Sequence, residues 1–456
     1  MDLSLIYNSS DTICAITTPA GTGAIAIIRL SGPEAFAIAD RIWKGSRLSA
    51  AATHTAHLGY IIDPEAPDTP LDQALATVFR APGTFTGDDI VEFSIHGSRW
   101  IQQHLIALLV RMGARTALPG EFTRRAFASG KMDLAEAEAV ADLIAASSEA
   151  SHRIALNQMR GHYSRRLDAL RDELLQLASL LELELDFSEE DVEFASRERL
   201  LTLAENLRDE LSRLADGFAS GAAIKAGIPV AIIGATNAGK SSLLNALLGD
   251  DRAIVSDIHG TTRDIVEDTL EIGQFLIRFK DTAGLRHTTD TIEQMGIGRS
   301  IDAARTATLI IHVIDPTAET PAEPLPDDIG PARVITVINK SDIAPKAAIP
   351  DGAIAISART GANIDTLRRA ITDRLAALTG TLDDTRLIVT NARHAEAFRQ
   401  SARCASAVAD GLRSALPPDF IAQDLREALY HLSTVTGEIT TPDILQSIFE
   451  NFCIGK

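Results

Sequence analysis

The spacing of apolar positions divides this chain of 456 residues into stretches of different character. Up to about residue 125, short apolar runs alternate with turns. Ile13-Cys-Ala-Ile16, Ala24-Ile-Ala-Ile-Ile28, Leu75-Ala-Thr-Val-Phe79 and Ile90-Val-Glu-Phe93 predict strands, while Pro33 to Trp43 and Trp100 to Met112 predict helices. Together they imply an α+β domain. Thr17 to Gly23 and Pro82 to Asp89 are rich in glycine and polar groups, and by residue type alone they are ordinary connecting loops. From Leu134 to Asp216 the alphabet shifts to Ala, Leu, Glu and Arg. Leu167, Leu170, Leu174, Leu177 and Leu181 are spaced three and four apart, and Leu200, Leu203, Leu207, Leu211 and Leu214 continue after a break. Such stripes bury one face of long antiparallel helices. The break, Asp186-Phe-Ser-Glu-Glu-Asp191, reads as a pair of helix caps, with clustered carboxylates able to meet a cation as the other reading.

Between about residues 227 and 379 strands alternate with helices, which predicts a mainly parallel sheet. After Thr379 the helical alphabet returns, in Ala395 to Leu412 and Phe420 to Val435. A helical domain made from both flanks, with an α/β domain inserted, accounts for this order. The predicted boundaries are 1–126, 127–226, 227–379 and 380–456.

The chemistry centres on Gly234-Ala-Thr-Asn-Ala-Gly-Lys-Ser241, which follows the apolar run Ile228 to Ile233 and precedes the helical pattern Ser242 to Leu248. Strand, glycine loop and helix in that order form a phosphate cradle: backbone N–H groups face the anion, Lys240 reaches the β- and γ-phosphates, and Ser241 offers a hydroxyl to Mg²⁺. Downstream come Gly260-Thr-Thr-Arg-Asp264, Asp281-Thr-Ala-Gly284, Asn339-Lys-Ser-Asp342 and Ser357-Ala-Arg359. Asp281 follows the strand-like Phe275 to Phe279 and can hold the metal's water shell; Gly284 offers its N–H to the γ-phosphate, and Thr262 completes the metal shell. Asp342 can accept both the N1–H and the exocyclic amine of guanine, so the series implies GTP. The candidate contacts are Asn237, Ala238, Gly239, Lys240, Ser241 and Ser242; then Ser256, Asp257, Ile258, His259, Gly260, Thr261 and Thr262; then Asp281, Thr282, Ala283 and Gly284; and finally Asn339, Lys340, Ser341, Asp342, Ser357, Ala358 and Arg359.

Signalling GTPases place a water-orienting glutamine directly after the D-x-x-G turn. Here Leu285 stands there, and an apolar side chain cannot orient water. Glu293 is the candidate replacement, acting through a bridging water. Arg263 and Arg286 can supply positive charge, and Arg286 is a candidate catalytic residue. Asn237, with carbonyls of the loop from Ser256 to Thr261, can instead hold a monovalent cation, for which potassium is the expectation. The plainer reading is that Asn237 hydrogen-bonds its own loop.

Charge and composition narrow the partners. The net charge is −19, from 62 acidic and 43 basic residues, so a polyanion such as RNA must meet a local basic patch or a partner that holds its phosphates. Three dispersed cysteines, Cys14, Cys404 and Cys453, argue against a disulfide frame or a structural zinc site. Without a basic leader or a run of about twenty apolar residues, the expectation is a cytoplasmic protein with no membrane contact. The tail ends in Phe-Cys-Ile-Gly-Lys456, where Cys453 reads by residue type as a small hydrophobe, and any functional cysteine in the chain is a free thiol.

Beyond these motifs the chain resembles the tRNA-modification GTPase family called MnmE or TrmE. The resemblance rests on Ile27-Ile-Arg-Leu-Ser-Gly32, Thr84-Phe-Thr-Gly-Asp-Asp89, Leu118-Pro-Gly-Glu-Phe-Thr-Arg-Arg-Ala-Phe127 running into Gly130-Lys-Met-Asp-Leu-Ala-Glu-Ala-Glu-Ala139, the inserted nucleotide domain and the terminal Cys-Ile-Gly-Lys456. It implies a multidomain α/β chain with a folate-binding α+β N-terminal domain, a helical bundle from two segments and a Ras-like P-loop GTPase domain. It implies a homodimer that binds a tetrahydrofolate derivative, with 5-formyltetrahydrofolate as analogue, through Arg29, Glu92, Lys131 and Lys456. It further implies potassium ligands at Asn237, Ser256, Ile258 and Thr261, magnesium ligands at Ser241 and Thr262, and a catalytic acid at Glu293. With an FAD- and NADH-dependent partner in a heterotetramer, such proteins install an aminomethyl or carboxymethylaminomethyl group at C5 of the wobble uridine, position 34, of certain tRNAs, the tRNA being held mainly by the complex. Cys453 would lie near the folate site as a candidate participant. The competing reading is a ribosome-assembly or other regulatory GTPase; it shares the nucleotide motifs but explains neither the N-terminal set nor the tail.

Overall fold

The computed structural model describes residues 11–186, 197–249, 268–280, 302–318, 325–345, 347–380, 387–414, 416–450 and 452–455. The acidic break after Asp186, the motifs at 256–264 and 281–284, Arg286, Glu293 and Lys456 lie outside them. The chain divides into two compact units, and the divisions fall within helices.

The first unit holds a seven-stranded sheet. Its strands are β1 (Ile13–Ile16), β2 (Ile25–Ser31), β3 (Trp43–Lys44), β4 (Thr55–Ile61), β5 (Asp72–Phe79), β6 (Ile90–His96) and β7 (Arg115–Thr116), in the order β3-β4-β5-β6-β2-β1-β7. All neighbours are antiparallel except β1 and β7. Period-two alternation sends Ile28, Leu30, Val78, Val91, Phe93 and Ile95 to one face, where they are fully or almost fully buried. Helices α1 (Ala35–Ile42) and α2 (Arg99–Arg111) cover that face with Phe36, Ile38, Ile42, Leu105 and Leu109. Arg29 and Glu92 fall on the opposite face because their neighbours along β2 and β6 point into this core.

Strands β3, β4 and β7 were not expected. β4 has only two buried positions, Gly59 and Ile61, and carries a histidine and a glycine, so little in its composition marks a strand; its register against β5 forms it. The same unit contains α3 (Glu121–Ala128) and the larger part of α4 (Leu134–Ala145). Phe127 and Leu134 pack with Leu445, Phe449 and Phe452 from the chain's end, where Thr441 caps a short helix, Pro442–Phe449, by accepting from the Ile444 N–H. The tail is thus docked rather than frayed.

The second unit contains α5 (Glu149–Met159) in its larger part and the helices α7 (Arg197–Asp216) and α8 (Phe218–Ala226); α6 (His162–Asp186) contributes to both units. The stripe of five leucines from Leu167 to Leu181 is buried at every position, as its spacing predicts. On α7 the stripe is displaced: Leu200, Leu207, Leu211 and Leu214 are buried, but Ala204 takes the place expected of Leu203, which is half-buried. A small side chain there suits close packing against a neighbouring helix, Ala392–Arg413.

The α/β part has strands β8 (Ile228–Ile233), β9 (Asp268–Ile272), β10 (Phe275–Phe279), β11 (Leu309–Ile314), β12 (Val334–Ile338) and β13 (Ile354–Ala355), ordered β13-β12-β11-β8-β10-β9. All pairs are parallel except the β9–β10 hairpin, which confirms the mainly parallel expectation. β8 is central: Val230 and Ile232 enter one core and Ala231 and Ile233 the other, so it is apolar throughout instead of alternating. Helices α9 (Lys240–Leu248) and α10 (Ile364–Thr379) cover the first of these cores. Three helices complete the chain: α11 (Ala392–Arg413), α12 (Pro418–Thr436) and α13 (Pro442–Phe449). Among the described residues, no helix is long and apolar enough to cross a membrane.

Candidate functional site

The phosphate loop leaves the carboxyl end of β8 and enters α9 at Lys240, the position open α/β sheets use for ligands. Its conformation depends on glycine. Gly239 has φ 91, and a Cβ there would collide with the Asn339 amide; a Cβ at Gly234 would collide with the Val313 carbonyl. Asn237 is exposed with φ 65, a left-handed conformation that asparagine tolerates. Lys240 Nζ donates to the carbonyls of Gly234 at 2.6 Å and Ala235 at 3.0 Å, so the ammonium lies folded over the loop.

Asn339 joins the phosphate loop to the loop that follows β13. It leaves β12 almost fully buried; its Nδ2 donates to the Ala238 carbonyl at 2.8 Å, and its Oδ1 accepts from the Ala358 N–H at 3.0 Å. Three segments far apart in sequence are thereby fixed by one side chain. Next to it, the Asp342 carboxylate accepts from Ser357 Oγ at 2.7 Å and from Arg359 Nε at 3.1 Å, with a second contact from the same guanidinium. Those two donors hold Asp342 below the usual carboxylate range. Lys340, with φ 60, donates to Asp315 Oδ2 at 2.5 Å, and Thr317 donates to Oδ1 through its hydroxyl and its N–H. Burial pushes Asp315 up, but these bonds outweigh it and leave it lowered.

The expected contacts Asn237, Ala238, Gly239, Lys240, Ser241, Ser242, Asn339, Lys340, Ser341, Asp342, Ser357, Ala358 and Arg359 are therefore brought to one end of one sheet. Ser256, Asp257, Ile258, His259, Gly260, Thr261, Thr262, Asp281, Thr282, Ala283 and Gly284 lie outside the described residues. Asp315 and Val313 were missed. Their signal was the apolar run Leu309 to Ile314 followed by an acid, the same strand-then-carboxylate pattern that marked Asp281.

A second polar site occupies the first unit. Arg29 and Glu92 are cross-strand partners on β2 and β6, with Arg29 Nε to Glu92 Oε1 at 2.8 Å. The guanidinium lies 5.6 Å from the Phe85 ring centre and 5.3 Å from that of Phe122. The loop carrying Phe85 is held by Ser31 Oγ to Thr86 Oγ1 at 2.9 Å and by Ser129 Oγ donating to the Thr86 carbonyl at 2.8 Å. Lys131 belongs to the same corner: a Cβ on Gly87 would lie 3.6 Å from its Cε. Below it runs an ionic lattice that the sequence did not reveal. Glu121 binds Arg115 at 2.7 Å and Arg125 at 3.1 Å, and Arg125 also reaches Asp11 at 2.6 Å and Asp88 at 3.6 Å. Burial raises Asp88, Asp89 adds to the rise, and Arg125 opposes it.

The tail enters this unit as well. The Cys453 carbonyl accepts from the Gly120 N–H at 3.4 Å, and a Cβ on Gly455 would collide with the Ile16 carbonyl. Cys453 is exposed and lies beyond the end of α13, so the small-hydrophobe reading of that thiol is overturned.

Fold and site define a P-loop protein of the α/β class, within a multidomain chain that also carries a polar site on an antiparallel sheet. Residues 12–131 match the family described as GTP-binding protein TrmE N-terminus, and residues 134–453 match the MnmE helical domain. A tRNA modification GTPase MnmE of Parabacteroides distasonis is 49% identical, over 98% of this chain and 100% of that protein. Proteins of the same name from Cytophaga hutchinsonii and Bacteroides fragilis are 45% and 47% identical, over 100% and 98% of this chain and the whole of each relative. The chain belongs to the MnmE family of tRNA modification GTPases.

Proposed function

We propose that this protein hydrolyses GTP to drive addition of an aminomethyl or carboxymethylaminomethyl group at C5 of the wobble uridine of certain tRNAs, with a partner that uses FAD and NADH. The observation that carries the nucleotide half is Asn339, whose two hydrogen bonds tie the phosphate loop to the loops that bear Asp342 and Ser357. A base seated against Asp342 is then held at a fixed distance from phosphates seated on the loop. Ser241, at the start of α9, and Thr262 are the proposed Mg²⁺ ligands. Asn237, Ser256, Ile258 and Thr261 are the proposed K⁺ ligands, a role the exposed, left-handed Asn237 suits. Glu293 orients the attacking water through a second water, and Arg286 adds positive charge.

The Arg29–Glu92 pair supports the one-carbon half. Half-buried between two phenylalanine rings, it offers a carboxylate to an amidine-like pterin edge, and Lys131 and Lys456 offer cations to a glutamyl tail. When bound, the metal ions neutralise phosphate charge and the tetrahydrofolate derivative supplies the one-carbon unit. Cys453, exposed at the docked tail, is the proposed thiol beside that site. Self-association is supported by the outer face of the same sheet, where Leu58 and Leu75 pair across β4 and β5 at 66% and 46% exposure. We place the domain boundaries at 126, 226 and 379 and the protein in the cytoplasm. The charge of −19 favours a complex in which the partner holds most of the tRNA.

Mass spectrometry of wobble uridines from cells lacking this gene tests the reading. Loss of the C5 modification is expected; an unchanged profile would leave a GTPase switch of another kind. In vitro, hydrolysis should be faster in K⁺ than in Na⁺, and equal rates would remove the cation from the account.

A further inference from the structure

Resting on the guanine-nucleotide reading, the structure points to a further role for one residue of that site. We propose that the Arg359 guanidinium competes with guanine for the Asp342 carboxylate, so that its withdrawal limits how fast the nucleotide enters. Guanine presents two donors, N1–H and the exocyclic amine, and needs both carboxylate oxygens. Both already accept bonds, Oδ1 from Ser357 and Oδ2 from Arg359. The Ser357 bond can persist, because Ser357 is fully buried and each carboxylate oxygen has two lone-pair sites. Arg359 is different in kind: two nitrogens of its guanidinium both contact Oδ2, one of the two oxygens the base needs.

Accessibility identifies the mobile partner. The Arg359 side chain is 74% exposed and that of Asp342 only 15%. Only the side chain has to move, since the Asn339 bond to the Ala358 N–H pins the adjoining backbone. It has somewhere to go. An open groove of about 660 Å³ beside it is lined by Ala246, Thr360, Gly361, Asp365 and Arg368 as well as by Arg359, and Asp365 in the first turn of α10 offers a second carboxylate. With its arginine largely in solvent, the pair is weak, so the competition delays entry without blocking it.

The test is stopped-flow binding of a fluorescent GDP analogue to the full chain, comparing wild type with Arg359→Ala and Arg359→Gln. Both variants should associate about two- to five-fold faster at low salt, with dissociation little changed. Near 1 M salt, where the screening length is about 3 Å, the wild type should approach the variants. Association at or below the wild-type rate, or faster dissociation, would show that Arg359 holds the base instead of opposing it, and would overturn the proposal while leaving the nucleotide reading intact. A wild-type protein that does not prefer GDP to ADP would overturn both.

Discussion

Asp342 and Cys14 illustrate what a single residue's surroundings dictate. Asp342 is placed by its loop and charged by its neighbours, so its replacement should be felt by guanine and not by the phosphates. Asp342→Ala is expected to weaken GDP binding at least about tenfold, because bonds to a charged acceptor are the stronger kind, and a nucleotide titration against GDP and ADP checks it. Retained guanine preference would assign base recognition to another residue. Cys14 sits in the sheet core, and burial pushes its thiol up to about 11, with Arg115 opposing. It should resist alkylation at pH 8 in the folded protein, while exposed Cys453 reacts first; mass mapping of a timed labelling gives the order. At this scale the motifs were largely legible, since Asn339, Asp342 and Ser357 belong to short strings with a fixed chemical purpose. Asp315 was not, because its partner Lys340 is 25 positions away and only the parallel pairing of β11 with β12 brings them together.

At the scale of elements, long leucine stripes announced helices well and short polar strands poorly. The α6 stripe is buried along its length, whereas α7 buries Ala204 where Leu203 was expected, a choice made by the neighbouring helix and invisible in the stripe itself. A paired substitution exposes the difference. Leu170→Ala should cost about 2–5 kcal/mol and Leu203→Ala distinctly less, read as the shift in denaturant midpoint. Equal shifts would contradict the burial assignment. The ionic lattice at α3 gives a pH dependence. Burial raises both Asp11 and Glu121, but bonds from Arg115 and Arg125, and for Glu121 the Leu118 N–H, outweigh it and leave both lowered. Folding therefore releases protons from these groups. Their contribution is complete above the unfolded values, about 3.9 and 4.3, and is lost as pH falls through the lower folded values. Arg125→Met should flatten that acid limb in unfolding curves taken from pH 5 to 3; an unaltered limb would place the acid sensitivity elsewhere.

Across the whole molecule, the order of the parts was readable because an α/β alphabet interrupts a helical one, and the MnmE helical-domain match at residues 134–453 spans both flanks of the interruption. The docking of the C-terminal segment with Phe127 and Leu134 was not readable, since apolar residues near a terminus carry no record of what they cover. The proposed function depends at this scale on a coupling: hydrolysis has to serve chemistry on RNA. The most direct measurement uses cells whose only copy carries Glu293→Gln. The purified variant should bind GTP but hydrolyse it slowly, and tRNA from those cells should lack the C5 modification of the wobble uridine. A full complement of modified uridine with hydrolysis abolished would contradict the account.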